Sequence, residues 1–214
     1  MLEVAALDAN IGSARILRQV ALSVPTGSLS GLIGRNGAGK TTFMRCVMGL
    51  LPAAAGSISC DGVDLVRLRP HLRAGMGIGY MPEDRRLVPD FTVEENLLVP
   101  SWAQRLTDAR ERLEWIYGLM PEVGEFQGRR ASQLSGGQQK LVALARALMT
   151  GRKLLLLDEP FEGVAPALAN RLAEVLADLK ATGVSVLVAE SNEKHIAHLL
   201  TDIHVIERGA IHAV

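Results

Sequence analysis

Neither sign of charge dominates this chain: Lys plus Arg and Asp plus Glu number 23 each, so the formal net charge is zero. A protein that grips nucleic acid through its phosphates carries a basic surplus, so no nucleic-acid partner is expected. No apolar run approaches the ~18 residues of a membrane-spanning helix. The longest candidates, 154–157 and 184–189, are of strand length. The N-terminus, Met1-Leu2-Glu3-Val4, lacks a basic region followed by an apolar stretch, so no signal peptide is expected. The two cysteines, Cys46 and Cys60, have no metal-ligand spacing and read as reduced, buried thiols of a cytosolic protein. Internal repeats and low-complexity segments are also missing. What is present suits a core: 48% of the 214 residues are hydrophobic. At roughly 100–200 residues per domain, that length is one domain, or one domain with an insertion.

Apolar alternation predicts strands over 2–7 and 16–24, joined by a turn at Gly12-Ser13. The run Leu29 to Ile33, ending at Gly34, reads as a buried parallel strand. A helix is expected over 40–51, stopped by Pro52. Residues 58–60 with the Asp61-Gly62 turn suggest an edge hairpin, and 77–81 a strand that ends at Pro82. Thr92 with Glu95 three residues on is a capping-box pattern and opens a helical region reaching Gly128. Trp102 and Trp115 fall there and are expected to pack in its core. Further on, helices are expected over 141–149 and 167–181, and strands over 153–157, 184–189 and 203–206. Strand–helix–strand alternation implies a parallel sheet flanked by helices, an α/β fold.

Gly34-Arg35-Asn36-Gly37-Ala38-Gly39-Lys40-Thr41 matches the phosphate-loop pattern G-x-x-x-x-G-K-[ST] in full. Its place, after a buried strand and opening a helix, gives the match its weight. Glycines let backbone N–H groups curl around a phosphate, and the helix aims its positive end at the same charge. Lys40 would supply a cation for the β- and γ-phosphates, and Thr41 a hydroxyl for Mg2+; Thr42 follows in the same nucleotide-binding stretch. Four leucines, Leu154 to Leu157, then deliver Asp158-Glu159-Pro160. An apolar strand with a carboxylate at its C-terminal end fits the second nucleotide-hydrolysis motif. Asp158 would hold Mg2+ through water, and Glu159 would polarise the attacking water as general base. An acidic pair after a strand is also a common surface turn; the phosphate loop tips the balance.

Leu134-Ser135-Gly136-Gly137-Gln138-Gln139-Lys140 sits just before a helix and offers a second anion cradle. One hydrolysis site does not need two cradles. Two make sense if the second acts on a nucleotide held by another chain. With these three motifs, in this order, nearly the whole chain resembles the ATP-binding cassette family. The resemblance implies that two cassettes pack head to tail, with each ATP between the phosphate loop of one and the Ser135, Gly136, Gly137 and Gln138 of the other. It implies ATP and Mg2+ as ligands, membrane permease subunits as partners, and a peripheral place on the cytoplasmic face of the inner or plasma membrane. The expected fold is a nucleotide-hydrolysing core with a parallel sheet, an N-terminal antiparallel β subdomain, and an inserted helical subdomain. The core would span 1–82 and 134–214, and the helical subdomain 83–133.

A finer resemblance is to the branched-chain (hydrophobic) amino acid uptake branch. It rests on Met81-Pro82-Glu83-Asp84-Arg85-Arg86, on Phe91-Thr92-Val93-Glu94-Glu95-Asn96-Leu97, on Glu162-Gly163-Val164-Ala165-Pro166 and on Glu190-Ser191-Asn192. It implies ATP hydrolysis that drives import, an extracytoplasmic solute-binding protein, and a second, different cassette as partner. Four positions depart from the family's pattern. Ile11 stands where an adenine-stacking aromatic is usual, and offers no π face. Glu83 stands for the usual Gln in the loop that senses Mg2+ and faces the permease. Ala165 stands for a usual Asp. Ser191 stands where a histidine usually faces the γ-phosphate, and cannot carry its charge. His195 and His198 read as a solvated helix face, and His71, His204 and His212 give no signal. The family often adds C-terminal elements, and the sequence reaches Val214 soon after the Glu207-Arg208-Gly209 turn, so some are expected to be missing.

Three rival readings stay open. Ser191 and Ile11 would suit a regulatory module that binds ATP without hydrolysing it; intact Lys40, Thr41, Asp158 and Glu159 oppose it. A soluble cassette working on nucleic acid or ribosomes would need a long coiled coil or a second cassette, and neither is present. A phosphate-loop kinase would have no use for residues 134–138.

Overall fold

A computed structural model describes residues 1–212, with the side chain of His212 excepted. Residues 213–214, the end of the expected core, and the His212 side chain lie outside the described residues.

Period-two burial organises the first hairpin, β1 (Leu2–Ile11) and β2 (Ala14–Val24). In β1 the buried positions run Leu2, Val4, Leu7 and Ala9. The step from Val4 to Leu7 falls at a register shift where Ala6 takes φ 49, a bulge that resets the phase of burial. The fully buried β3 (Leu29–Ile33) follows, then α1 (Lys40–Val47), β4 (Ala55–Cys60), the two-residue β5 (Val63–Asp64), α2 (Pro70–Gly75) and β6 (Ile78–Met81). Helices α3 (Val93–Gln104), α4 (Ala109–Leu119) and α5 (Pro121–Glu125) come next. The chain closes with α6 (Gly136–Thr150), β7 (Leu154–Asp158), α7 (Pro166–Ala181), β8 (Ser185–Glu190), β9 (Asp202–Glu207) and β10 (Ala210–His212).

Two sheets form. One is antiparallel, in the order β2-β1-β4-β5; the other runs β10-β9-β3-β8-β7-β6 and is parallel but for β10. Alternation within β7 explains how one sheet serves two cores. Leu154 and Leu156 pack with α1 and the antiparallel sheet, around Phe43, Leu2 and Leu17. Leu155 and Leu157 pack on the opposite face, with the apolar sides of α3, α6 and α7. Both faces of the parallel sheet are covered, which is why β7 and β8 are buried at every position.

Several expectations change. The first helix ends at Val47, four residues early. Gly49 takes φ 72, and Leu50 and Leu51 donate their N–H groups back to Arg45 O at 2.8 and 3.2 Å, closing the helix end. Helix α2 and strand β10 carried too few periodic residues to be foreseen. Trp102 is 54% exposed rather than core. The inward stripe of α3 is Val93, Asn96, Leu97 and Ser101, and Trp102 lies one position beyond it. Trp115 is half-buried, with the Arg112 guanidinium 3.9 Å over its ring. His195 and His198 are not on a helix: residues 194–199 form turns, and the His195 ring stacks on Phe161 at 5.6 Å. Cys46 and Cys60 are free and buried, and burial pushes the Cys46 thiol up to about 11.

Candidate functional site

Strand β3 delivers Gly34 to the end of the parallel sheet, where its N–H donates to Glu190 O at 3.0 Å. No side chain fits at Gly34: a Cβ there would lie 2.3 Å from Ile206 O. Gly39, the N-cap of α1, takes φ 114, a conformation open to glycine and strained for other residues. The loop between them places Lys40 at the first turn of α1, where the helix presents its positive end. Lys40 is buried, and its Nζ donates to Gly34 O at 2.6 Å and Arg35 O at 3.3 Å. The same Nζ lies 2.9 Å from Glu159 Oε1.

Thr41 Oγ1 donates to Asp158 Oδ1 at 3.1 Å, and Tyr80 OH donates to Asp158 Oδ2 at 3.3 Å. Burial pushes the Asp158 carboxyl up to about 6, with the Thr41 hydrogen bond opposing and the charge of Glu83 adding to the rise. Tyr80 is pushed well above the ordinary phenol value by burial and by the charge of Asp158. Glu159 takes φ 51, a left-handed conformation, and its N–H donates to Ala189 O at 2.9 Å. Carboxylate oxygens of Glu83, Glu159 and Glu162 lie within 4.8 Å of one another. A hydrogen bond with Glu159, then burial, raise the Glu162 carboxyl above its usual range.

An open cavity of about 340 Å³ brings together Ile11, Asn36, Gly37, Gly39, Lys40, Thr41, Thr42, Glu83 and Glu159. Ile11 reaches it from the end of β1. Arg35 is exposed and contributes its carbonyl; Ala38 is buried, its N–H donating to Arg35 O at 3.0 Å. Residues 135–138 are not in this cavity. Ser135 is the N-cap of α6: its Oγ accepts from Gln138 N at 3.3 Å, while Gln138 Oε1 accepts from Ser135 N at 3.0 Å. The Gln138 side chain is therefore engaged within its own turn. Gly136 and Gly137 line a second cavity, of about 520 Å³, with Glu83, Lys140 and Glu162. Glu83 borders both. Ser191 is exposed, just past Glu190 at the same end of the sheet as Gly34.

Tyr80 escaped the sequence reading, and Lys140 and Glu190 stood in quoted segments without a role of their own. The one available signal was a charged residue, Lys140, opening the apolar run of α6. Burial pushes the Glu190 carboxyl up to about 7, against the hydrogen bond it accepts from Phe161 N at 2.8 Å.

Oxygen donors suited to a hard cation therefore meet at a glycine-rich loop that opens a helix, with a lysine and a second carboxylate beside them. Comparisons with known proteins agree with that chemistry. The family model described as ABC transporter matches residues 17–162. The chain is 36% identical to the high-affinity branched-chain amino acid transport ATP-binding protein BraG of Pseudomonas aeruginosa, over 94% of this chain and 86% of the relative. It is 34% identical to the lipopolysaccharide export system ATP-binding protein LptB of Haemophilus influenzae, over 93% of this chain and 83% of the relative. An ATP-binding cassette of an ABC transporter, solved in its ADP conformation, superposes with a TM-score of 0.85 at 29% identity, covering 100% of this chain and 89% of that one. The chain belongs to the ABC transporter family and is one of its ATP-binding subunits, an ATPase.

Proposed function

We propose that this subunit hydrolyses Mg-ATP at its phosphate loop to power a membrane importer for branched-chain amino acids or a related small solute. The observation that carries the hydrolytic reading is the meeting of Lys40, Thr41, Asp158 and Glu159 at one end of the parallel sheet. In this reading the backbone of 34–39 cradles the phosphates, and Lys40 turns from Glu159 and Gly34 O onto them. Glu159, so released, accepts the proton of the attacking water. Thr41 and Asp158 fit Mg2+: both present oxygen, and Asp158 is a buried carboxylate with no cationic side chain in salt-bridge contact among the described residues. The chemistry that Mg2+ supplies when bound is neutralisation of phosphate charge. Ile11 packs on the base, and Glu83 senses the site from the loop after β6.

The separate cradle at 135–138 leads to a dimer reading, in which those residues complete the partner's site. The partner is a second, different cassette. Residues 83–133 form a helical subdomain that meets permease subunits and holds the protein at the cytoplasmic face of the membrane, with a solute-binding protein acting outside. The cargo assignment is supported by the likeness to BraG and by the segments 81–86 and 190–192. The likeness to LptB favours an exporter as the second reading.

Two measurements test the proposal. Glu159→Gln in the assembled transporter is expected to bind ATP and lose turnover by at least ~10²-fold; wild-type turnover would reject the base assignment. Vesicles carrying the transporter are expected to accumulate branched-chain amino acids with ATP. Hydrolysis without uptake, together with extraction of lipid, would favour the exporter.

A further inference from the structure

Lys140 lies in the second turn of α6, the helix that begins at the Ser135 cradle. It is 8% exposed, and residues 141–145 after it are all buried and apolar. An ammonium has three N–H donors. Lys140 Nζ places them on three backbone carbonyls: Glu159 O at 3.0 Å, Pro160 O at 3.2 Å, and Glu162 O. The three acceptors span the loop that leaves Asp158. That loop starts with Glu159 in its left-handed conformation, which persists only where the surroundings enforce it. The buried Glu190 side chain also holds this loop, its Oε1 accepting from Phe161 N at 2.8 Å. A buried cation on the carbonyls and a buried glutamate side chain on an N–H thus pin the four residues 159–162.

We propose that Lys140 is a positioning residue for ATP hydrolysis, fixing the backbone of 159–162, and through it the Glu159 carboxylate, to the helix that starts at the Ser135 cradle. This rests on the reading of Glu159 as the base. Lys140 touches no reacting atom; it acts by holding the carbonyl groups on either side of Pro160. One rigid helix then carries both the cradle for a partner's nucleotide and the support of this chain's own carboxylate. A lysine that served only the stability of the fold would affect nucleotide binding and turnover together.

The test is steady-state ATPase kinetics of the assembled transporter. Lys140→Met keeps the length and apolar stem and removes the cation. Its kcat is expected to fall on the order of 10–100-fold, the cost of a small misplacement of a reacting group. KM for ATP is expected to stay within about twofold, since the phosphate contacts are untouched. Lys140→Arg keeps the charge and the donors and is expected to recover most of kcat. Where Lys140→Met fails to fold, Lys140→Gln reads the same quantity: its amide keeps two donors, and its kcat should fall between those of wild type and a donor-free side chain. A wild-type kcat in Lys140→Met or Lys140→Gln overturns the inference. So does a rise of KM in step with the loss of kcat, or a loss that Lys140→Arg does not recover. Glu159→Gln separates the two readings. If it turns over at the wild-type rate, the base assignment fails; if it is inactive while Lys140→Met is fully active, only the role of Lys140 fails.

Discussion

Lys40 and Glu159 form a buried ion pair: Nζ and Oε1 are 2.9 Å apart, and the two side chains are 3% and 6% exposed. Their partnership makes each sensitive to loss of the other. Lys40→Ala removes a charge-assisted donor worth ~1.5–3 kcal/mol, so ATP affinity is expected to fall ~10–150-fold in a titration with Mg2+ present. It also strands Glu159, and breaking a buried pair costs ~3–5 kcal/mol. The nucleotide-free Lys40→Ala protein should melt well below wild type, and adding Glu159→Gln should restore much of the loss. Undiminished affinity would count against the phosphate-loop assignment; no recovery in the double variant would count against the pair.

Ile11 lines the phosphate-loop cavity from the end of β1 and has no aromatic face. Lost stacking is worth ~0.5–1.5 kcal/mol, so discrimination between ATP and GTP is expected to be about tenfold or less. Competition binding of the two nucleotides measures it. A far stronger preference for ATP would show that another group reads the base.

Ser191 is exposed just past Glu190 at the end of β8, and we read it as standing where the family resemblance implies a histidine. Losing one donor to developing phosphate charge costs ~10²–10³ in rate. The site built on this chain's phosphate loop is therefore expected to be the slower of two, the faster belonging to a partner cassette that carries the histidine. Removing the partner's histidine should nearly abolish ATPase activity of the reconstituted transporter, while Ser191→Ala should leave most of it. Equal losses, or full activity of this chain alone as a homodimer, would sink the asymmetric arrangement.

Glu190 predicts a pH dependence of stability. Its carboxyl is raised to about 7, chiefly by burial, so the folded protein holds a proton that the unfolded chain has released above its ordinary value of 4.5. The folded state then binds more protons than the unfolded, and stability falls as pH rises from about 4.5 to about 7. The full effect is about 3 kcal/mol as an upper bound. Glu190→Gln keeps an acceptor for Phe161 N and cannot ionise, so it should flatten this slope. Denaturant melts of the nucleotide-free protein between pH 5 and 8 check it; an unchanged slope in Glu190→Gln would assign the dependence to other groups.

The amino-acid sequence by itself determined what is written in contiguous residues. The Gly34 to Thr41 loop, the leucines before Asp158-Glu159 and the Thr92–Glu95 capping box are local patterns, and each sits in the element expected of it. The α/β alternation was legible because continuous apolar runs such as 29–33 and 154–157, which suit burial on both faces, alternate with helical stretches. Tertiary structure decided what depends on distant residues meeting. Tyr80 reaches Asp158 across 78 positions and Lys140 reaches Glu159 across 19. No local spacing encodes those distances; adjacent strands and a helix laid over them create them. Burial decided the rest. Trp102 has a large aromatic surface that would suit a core, yet it lies one position past the inward stripe of α3 and faces outward. Glu190 is an ordinary glutamate in sequence, and only its place between the cores moves its proton affinity toward neutral pH.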